Sequence, residues 1–316
     1  MKKRIITSIF LISFAILYLF VGAIYQEWKG FDVWYMPYAF LTVNSILLGI
    51  TIFEVMNLRK GESFNWIIKA IIFVFAIILL WFPIAENIKY EPYWNKYDGP
   101  SRIEWWQSWM VLLIYMIFLL VILLMVKVFK KFSANDALFI FCMTLYLVFA
   151  FKAMNYIMLQ PGFGWPAVSV VLLITISNDT FAYIGGTLVG KNALAPKISP
   201  SKTWEGAIIG ILVTLVLVLG YIVLLTEFTK YQPFANFFTT KTDDYKYVIY
   251  FLLILFLSLI SHMGDLLFSF IKRNHNVKDF FNVLPGHGGF LDRIDSLSLV
   301  LIFTGFFMLI QSFSTI

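Results

Sequence analysis

Residues 261–296, SHMGDLLFSFIKRNHNVKDFFNVLPGHGGFLDRIDS, carry the most abrupt change of character in the chain. The preceding run from Val248 to Ile260 holds no charge, yet Asp265, Lys272, Arg273, Lys278, Asp279, Asp292, Arg293 and Asp295 then follow within 265–295. Basic residues beside an apolar run usually set orientation, which accounts for Lys272, Arg273 and Lys278. They do not account for Asp265 or for the PGHGG turn. A carboxylate about eighteen residues into an apolar run is costly unless it faces a polar cavity or an ion, so its default reading is functional.

Outward from this stretch the chain is apolar almost throughout. Of 316 residues, 60% are hydrophobic and 13% charged, and the mean hydropathy is +0.84; a soluble domain has roughly 25% charged residues. Runs near the length of about twenty residues that crosses a bilayer fall at 5–25, 38–57, 65–84, 109–129, 137–158, 166–184, 205–226, 247–270 and 296–314. They predict an all-α integral membrane protein of about nine transmembrane helices, with a cytosol-facing polar cavity built from the C-terminal half. Tryptophans near the predicted helix ends, such as Trp28, Trp81, Trp105 and Trp165, fit interfacial belts. The single cysteine, Cys142, excludes disulfides within the chain and any multi-thiolate metal site. The basic start and long apolar core of residues 1–28 read as a retained first span.

Loop charge predicts the orientation. The N-terminal flank and the loops near 58–69, 127–131, 185–204 and 271–295 carry sixteen Lys and Arg, against seven on the other side, where nine acids offset them. The basic side is therefore expected in the cytosol, with the N-terminus and both charge-dense regions on it. Residues 1–160 read as N-terminal helices forming a scaffold with room for dimer contacts, and 161–316 as a C-terminal catalytic region. Glu54 and Lys152 interrupt the scaffold's apolar runs, and snorkelling toward a span end is their favoured reading.

A second polar region is 177–206, SNDTFAYIGGTLVGKNALAPKISPSKTWEG. Asn178 and Asp179 are expected to end an apolar span, and Gly185, Gly186, Pro196 and Pro200 to make an irregular loop. Thr203 or Ser201 would cap a helix starting near Trp204, with Glu205 in its first turn. Such a helix N-terminus flanked by Lys191, Lys197 and Lys202 suits phosphate. Gly185-x4-Gly190-Lys191 has a P-loop's spacing, but Asn192 replaces the metal-binding hydroxyl and no strand precedes it, so a P-loop fold is rejected.

Asp179, Asp265, Asp292 and Asp295 without clustered Cys or His favour a hard cation. Magnesium takes one or two carboxylates plus waters and substrate phosphates, whereas His262, His275 and His287 lack zinc-site spacing. Gly288 and Gly289 beside His287 let a backbone approach a phosphate or make a tight turn. Carboxylates, lysines and a helix N-terminus at a membrane boundary suggest transfer of a phosphorus group between a soluble nucleotide and a lipid.

The stretch from Ser269 through Lys272, Arg273, Lys278 and Asp279 to PGHGGFLDRID closely resembles the signature of the phosphatidate cytidylyltransferases, or CDP-diacylglycerol synthases, and NDTFAYIGG…ISPSKTWEG resembles that family's second block. The resemblance implies that CTP and phosphatidate give CDP-diacylglycerol and pyrophosphate, with magnesium, together with a monovalent cation such as potassium, held by Asp265 and Asp292. It implies catalytic roles for Lys272, Arg273 and Lys278. Substrate contacts would come from Asp179, Lys191, Ser199, Lys202, Thr203, Glu205, His287, Gly288, Gly289, Arg293 and Asp295. It further implies a homodimer, multi-pass in the cell inner (plasma) membrane, with no nucleic acid as partner. Phe281, Phe268 and Thr187 depart from the family pattern, which has a small residue, often a Glu, and in some members a basic residue there. Two alternatives are weighed. A CDP-alcohol phosphotransferase needs a longer aspartate array than Asp292-x2-Asp295, and a transporter of an anionic solute usually shows repeats in both halves.

Overall fold

A computed structural model describes residues 2–27, 36–58, 64–81, 105–129, 132–159, 163–229, 231–234, 245–281, 283 and 288–314. Nine helices stand among them: α1 (Lys2–Glu27), α2 (Met36–Met56), α3 (Trp66–Trp81), α4 (Trp105–Val128), α5 (Ala134–Leu159), α6 (Gly164–Val189), α7 (Trp204–Phe228), α8 (Lys246–Asn274) and α9 (Leu291–Ser314). Within α2, α5, α6, α7 and α8 lie five helices long and apolar enough to cross a membrane; α1, α3 and α4 contain shorter apolar stretches. Among the described residues the chain is an all-α membrane protein apart from one hairpin. Lipid offers no partner to a backbone N–H or C=O, so an apolar chain closes its hydrogen bonds within helices.

The helices share two cores. One gathers Tyr18, Phe40, Val170, Val171, Leu257 and Val300; the other gathers Leu48, Ile72, Phe118, Leu147, Phe268 and Leu291. Each core takes residues from both sides of residue 160. A buried polar link adds to the first, where Asn44 Nδ2 donates to Tyr18 Oη at 3.0 Å and to Asn155 Oδ1 at 2.6 Å.

Two close helix crossings position the polar residues. At the α6–α7 crossing, a Cβ added to Gly206 would lie 2.6 Å from the Ala182 carbonyl oxygen and 2.9 Å from Gly186 Cα. At the α8–α9 crossing, a Cβ on Gly264 would lie 3.0 Å from the Asp295 carbonyl oxygen. Small residues let backbones approach this closely in membranes, where packing rather than water drives association.

Those crossings correct two expectations. Asp179 does not end its helix, and Gly185 and Gly186 are not loop residues: α6 continues to Val189, because the glycines serve the packing against α7. With 185–189 helical, the P-loop spacing has no loop to act in. The polar segment beyond is a hairpin, β1 (Ala193–Ala195) and β2 (Ser199–Thr203), antiparallel with Ala193 opposite Thr203 and Ala195 opposite Ser199. Pro200 is tolerated in β2 because both strands of a two-stranded sheet are edges. The expected start near Trp204 holds, with Thr203 Oγ1 accepting the Gly206 N–H at 3.1 Å.

Gly206→Ala should therefore lower the thermal midpoint in detergent, at a cost of about 1–3 kcal/mol for forcing two backbones apart. Gly220→Ala, whose Cβ would meet nothing within 4 Å, should leave the midpoint unchanged or raise it slightly.

Candidate active site

The polar residues of α6, α8, α9 and the hairpin form two adjoining groups. In the first, Lys202 of β2 makes an ion pair with Asp265 of α8, the two side chains being 23% and 25% exposed. Ser296 of α9 donates through Oγ to Asp179 Oδ2 of α6 at 2.7 Å, and its N–H donates to Asp295 Oδ1 at 2.8 Å. The charges of Asp179, Asp265 and Asp295 act on one another. Three helices thus bring three carboxylates together, and Gly264 seats Asp265 against the first turns of α9.

The second group surrounds Asp292. Its Oδ1 accepts from Lys272 Nζ at 2.8 Å, and its Oδ2 accepts the Phe280 N–H at 3.1 Å and the Gly289 N–H at 3.0 Å. This pair is the drier one, with side chains 12% (Lys272) and 5% (Asp292) exposed. Lys272 joins the groups, since its charge also acts on Asp295. Gly288 has φ of +81°, a conformation that favours glycine.

Arg273 serves the frame. Its Nε donates to the Ile198 carbonyl at 3.1 Å and its Nη1 to the Val277 carbonyl at 3.2 Å, so it ties the hairpin turn to the end of α8. Glu205 accepts the N–H groups of Lys191 and Asn192 and the Asn192 side chain at 2.6–3.3 Å, which fixes the hairpin's entry. Ser199 stands in β2, and Lys191, Lys278 and Arg293 are exposed. His287 lies outside the described residues. His262 sits 3.4 Å from the Ala207 carbonyl, within reach of the charges of Asp265 and Lys202, and the His275 ring lies tilted against Phe139.

The three departures from the family pattern have local settings. Phe268 is fully buried against Tyr146 and Phe280, Phe281 packs edge-on to Phe53, and Thr187 turns back on the Ile184 carbonyl. Two residues of the site escape the sequence reading. Ser296 gives no signal beyond following Asp295. Glu54 does give one, a carboxylate in an apolar helix, but its partners are the N–H groups of Phe290 at 2.6 Å and Leu291 at 2.7 Å. It does not snorkel: it is fully buried.

These oxygens suit a hard cation. Among the described residues, no three His, Cys, Asp or Glu side chains converge as a complete metal cage, and magnesium needs only one or two carboxylates when waters and phosphates complete its shell. Asp265 faces a single lysine. Asp292 keeps a lone pair on Oδ1 beside the Lys272 contact, by the acceptor capacity of a carboxylate oxygen.

The sequence pattern of the cytidylyltransferase family matches residues 2–313. The phosphatidate cytidylyltransferase of Bacillus subtilis (strain 168) is 28% identical over 312 residues, 99% of either chain. That of Rickettsia typhi is 39% identical over 132 residues, 42% of this chain and 54% of its own length. That of Haemophilus influenzae is 37% identical over 148 residues, 47% of each.

The two lysine–aspartate pairs differ in exposure, and their loss should differ accordingly. Lys272→Met should destabilise by about 3 kcal/mol, because Asp292 is left buried with only backbone partners. Lys202→Met should cost less, about 1–2 kcal/mol, since the Asp265 side chain is a quarter exposed. Thermal midpoints of the two variants, purified in one detergent, check the order.

Proposed function

The chain belongs to the cytidylyltransferase family, and from that premise we propose that it transfers the cytidylyl group of CTP to phosphatidate at the two lysine–aspartate pairs. The observation that supports this site is that Lys202 of β2 pairs with Asp265 of α8 and Lys272, two turns further along α8, pairs with Asp292 of α9, while Asp295 feels the charges of both Asp265 and Lys272. Along a helix each residue rises 1.5 Å, so Asp292 and Asp295 are separated by about 4.5 Å of axis, within the span of one polyphosphate.

In the reaction a phosphate oxygen of phosphatidate attacks the α-phosphorus of CTP. A new P–O bond forms there as the bond from the α-phosphorus to the bridging oxygen of the β-phosphate breaks, and pyrophosphate leaves with that electron pair. The attacking phosphate monoester has its second pKa near 6 and is largely ionised at neutral pH, so no side chain has to remove a proton. The protein's part is positioning and charge neutralisation, which supply most of the catalysis in such transfers. Lys202 and Lys272 stand where negative charge gathers on the leaving group, with Lys278 at the rim; compact ammonium groups on flexible stems can follow it. Arg273 contributes by holding the hairpin that carries Lys202. Lys191, Ser199, Thr203, Glu205, Gly288, Gly289 and Arg293 are the residues proposed to contact the substrates.

Asp265 and Asp292 are the residues proposed to hold magnesium, with potassium as a second, monovalent ion; Asp179 and Asp295 add negative charge beside them. Bound there, a divalent ion would neutralise the triphosphate and orient its α-phosphorus. The basic loops favour nine spans with the site opening to the cytosol, where CTP is, and bacterial relatives favour the plasma membrane. The family likeness supports a homodimer.

Membranes containing the protein, given CTP labelled in its α-phosphate, phosphatidate and magnesium, should move label into a lipid resolved by thin-layer chromatography. Absence of label in lipid from active, folded protein sinks the assignment. Asp265→Asn should lower turnover by at least about a hundredfold, in the range seen when a group stabilising transition-state charge is lost. Chelation should abolish turnover and added magnesium restore it.

A further inference from the structure

Glu54 belongs to the N-terminal helices, far in sequence from every residue with a role in the transfer. It is fully buried at 0% exposure. An ionised carboxylate in such a place persists only with strong partners, and here both are backbone N–H groups at the start of α9. Phe290 N–H donates to Oε1 at 2.6 Å and Leu291 N–H to Oε2 at 2.7 Å, across 236 and 237 residues of sequence. The first N–H groups of a helix have no partner within it and carry the positive end of its dipole, so a carboxylate satisfies both needs at once.

The same turn is gripped from its other side by Asp292. Gly289 N–H donates to Asp292 Oδ2, so three consecutive N–H groups, at 289, 290 and 291, are shared between Asp292 and Glu54. Gly289 lies between the two carboxylates: an added Cβ would be 2.9 Å from Glu54 Oε2 and 3.0 Å from Asp292 Oδ2. Beside Glu54, the Phe53 ring meets Phe281 edge-on at 5.7 Å, and Val55 and Met56 share a core with Phe280 and Leu291. The negative charges of Glu54 and Asp292 repel each other across the turn, but the two backbone hydrogen bonds outweigh that repulsion, so the contact fixes the turn firmly. An apolar side chain would avoid that repulsion but would leave the two N–H groups bare.

We propose that Glu54 is a positioning residue for cytidylyl transfer, holding the 288–291 turn so that Asp292 and Lys272 keep the orientation in which they meet the nucleotide. The inference rests on the reading of these two residues as part of the transfer site. Glu54 touches neither substrate; it acts through the backbone that also holds Asp292. Its effect therefore falls on the nucleotide side of the reaction and spares the lipid side.

Glu54→Gln keeps the shape but exchanges one acceptor oxygen for an NH2 group that opposes a backbone N–H. In full-length protein, assayed well below its melting temperature with CTP, phosphatidate and magnesium, kcat/KM for CTP should fall about thirtyfold or more. The KM for phosphatidate should stay within about twofold of wild type. A purely structural role would lower the melting temperature and leave both constants of the folded fraction unchanged. Retention of kcat/KM for CTP within about threefold overturns the proposal, as does an equal loss in the two substrates' KM values. If Glu54→Gln cannot be purified, Glu54→Asp, which keeps the charge but falls one methylene short of the turn, is judged by the same criteria. Failure of the wild-type chain to label lipid would remove the transfer reading itself; an active wild type with an unaltered variant removes only the role of Glu54.

Discussion

An ionised carboxylate among membrane helices must be matched, and the way this chain matches its acids fixes both its architecture and its site. Removing such a charge from water costs several kcal/mol unless hydrogen bonds or an opposite charge compensate. Glu54 is matched by two backbone N–H groups, Asp292 by two more and Lys272, Asp265 by Lys202, and Asp179 and Asp295 by Ser296. Three of these matches join elements distant in sequence: α2 to α9, β2 to α8 and α6 to α9. The polar contacts that make burial tolerable are therefore the ones that bring the site's pieces together.

Matching of this kind needs close and fixed helix spacing. Gly206 lets α7 lie against α6, so the hairpin between them emerges where Lys202 reaches Asp265. Gly264 sets α8 against the Asp295 carbonyl, so Asp265 opposes the first turns of α9 and not a deeper part of it. A side chain at either glycine would separate backbones that the ion pairs require to be near. The aromatic contacts of Phe268 and Phe281 fill the space behind the Asp292 turn with apolar surface.

Helix placement was legible in the sequence, as was the clustering of charge around the candidate site, for reasons that also explain the failures. Apolar runs near spanning length marked the helices, and a carboxylate stranded in one of them marked Asp265, while Lys272 and Asp292 were singled out by the family resemblance. The end of α6 was misplaced because Asn178, Asp179, Gly185 and Gly186 lower hydropathy in the way a loop does; what they supply instead is a polar contact and a close crossing inside a helix. Glu54 and Arg273 were harder. Their partners are peptide groups at 290, 291, 198 and 277, and a peptide group has no identity in the sequence. A motif shows which side chains are present, while a contact to backbone shows itself only once the chain is folded.

The division between lysine and arginine across the site follows from the same chemistry. Arg273 presents a rigid planar fork, and it is bound to two carbonyls in two different turns, a geometry suited to holding parts at a fixed distance. Lys202 and Lys272 are point charges on flexible stems, each resting on a carboxylate. A triphosphate carries more negative charge than a carboxylate, so an arriving nucleotide can draw an ammonium toward itself without a large backbone movement, whereas a fork bound in two places would have to break both bonds. Arg273, bound to the Ile198 carbonyl, holds the hairpin whose second strand carries Lys202. The frame is then held by bonds to neutral backbone groups, and the groups free to respond to phosphate are those paired with charge.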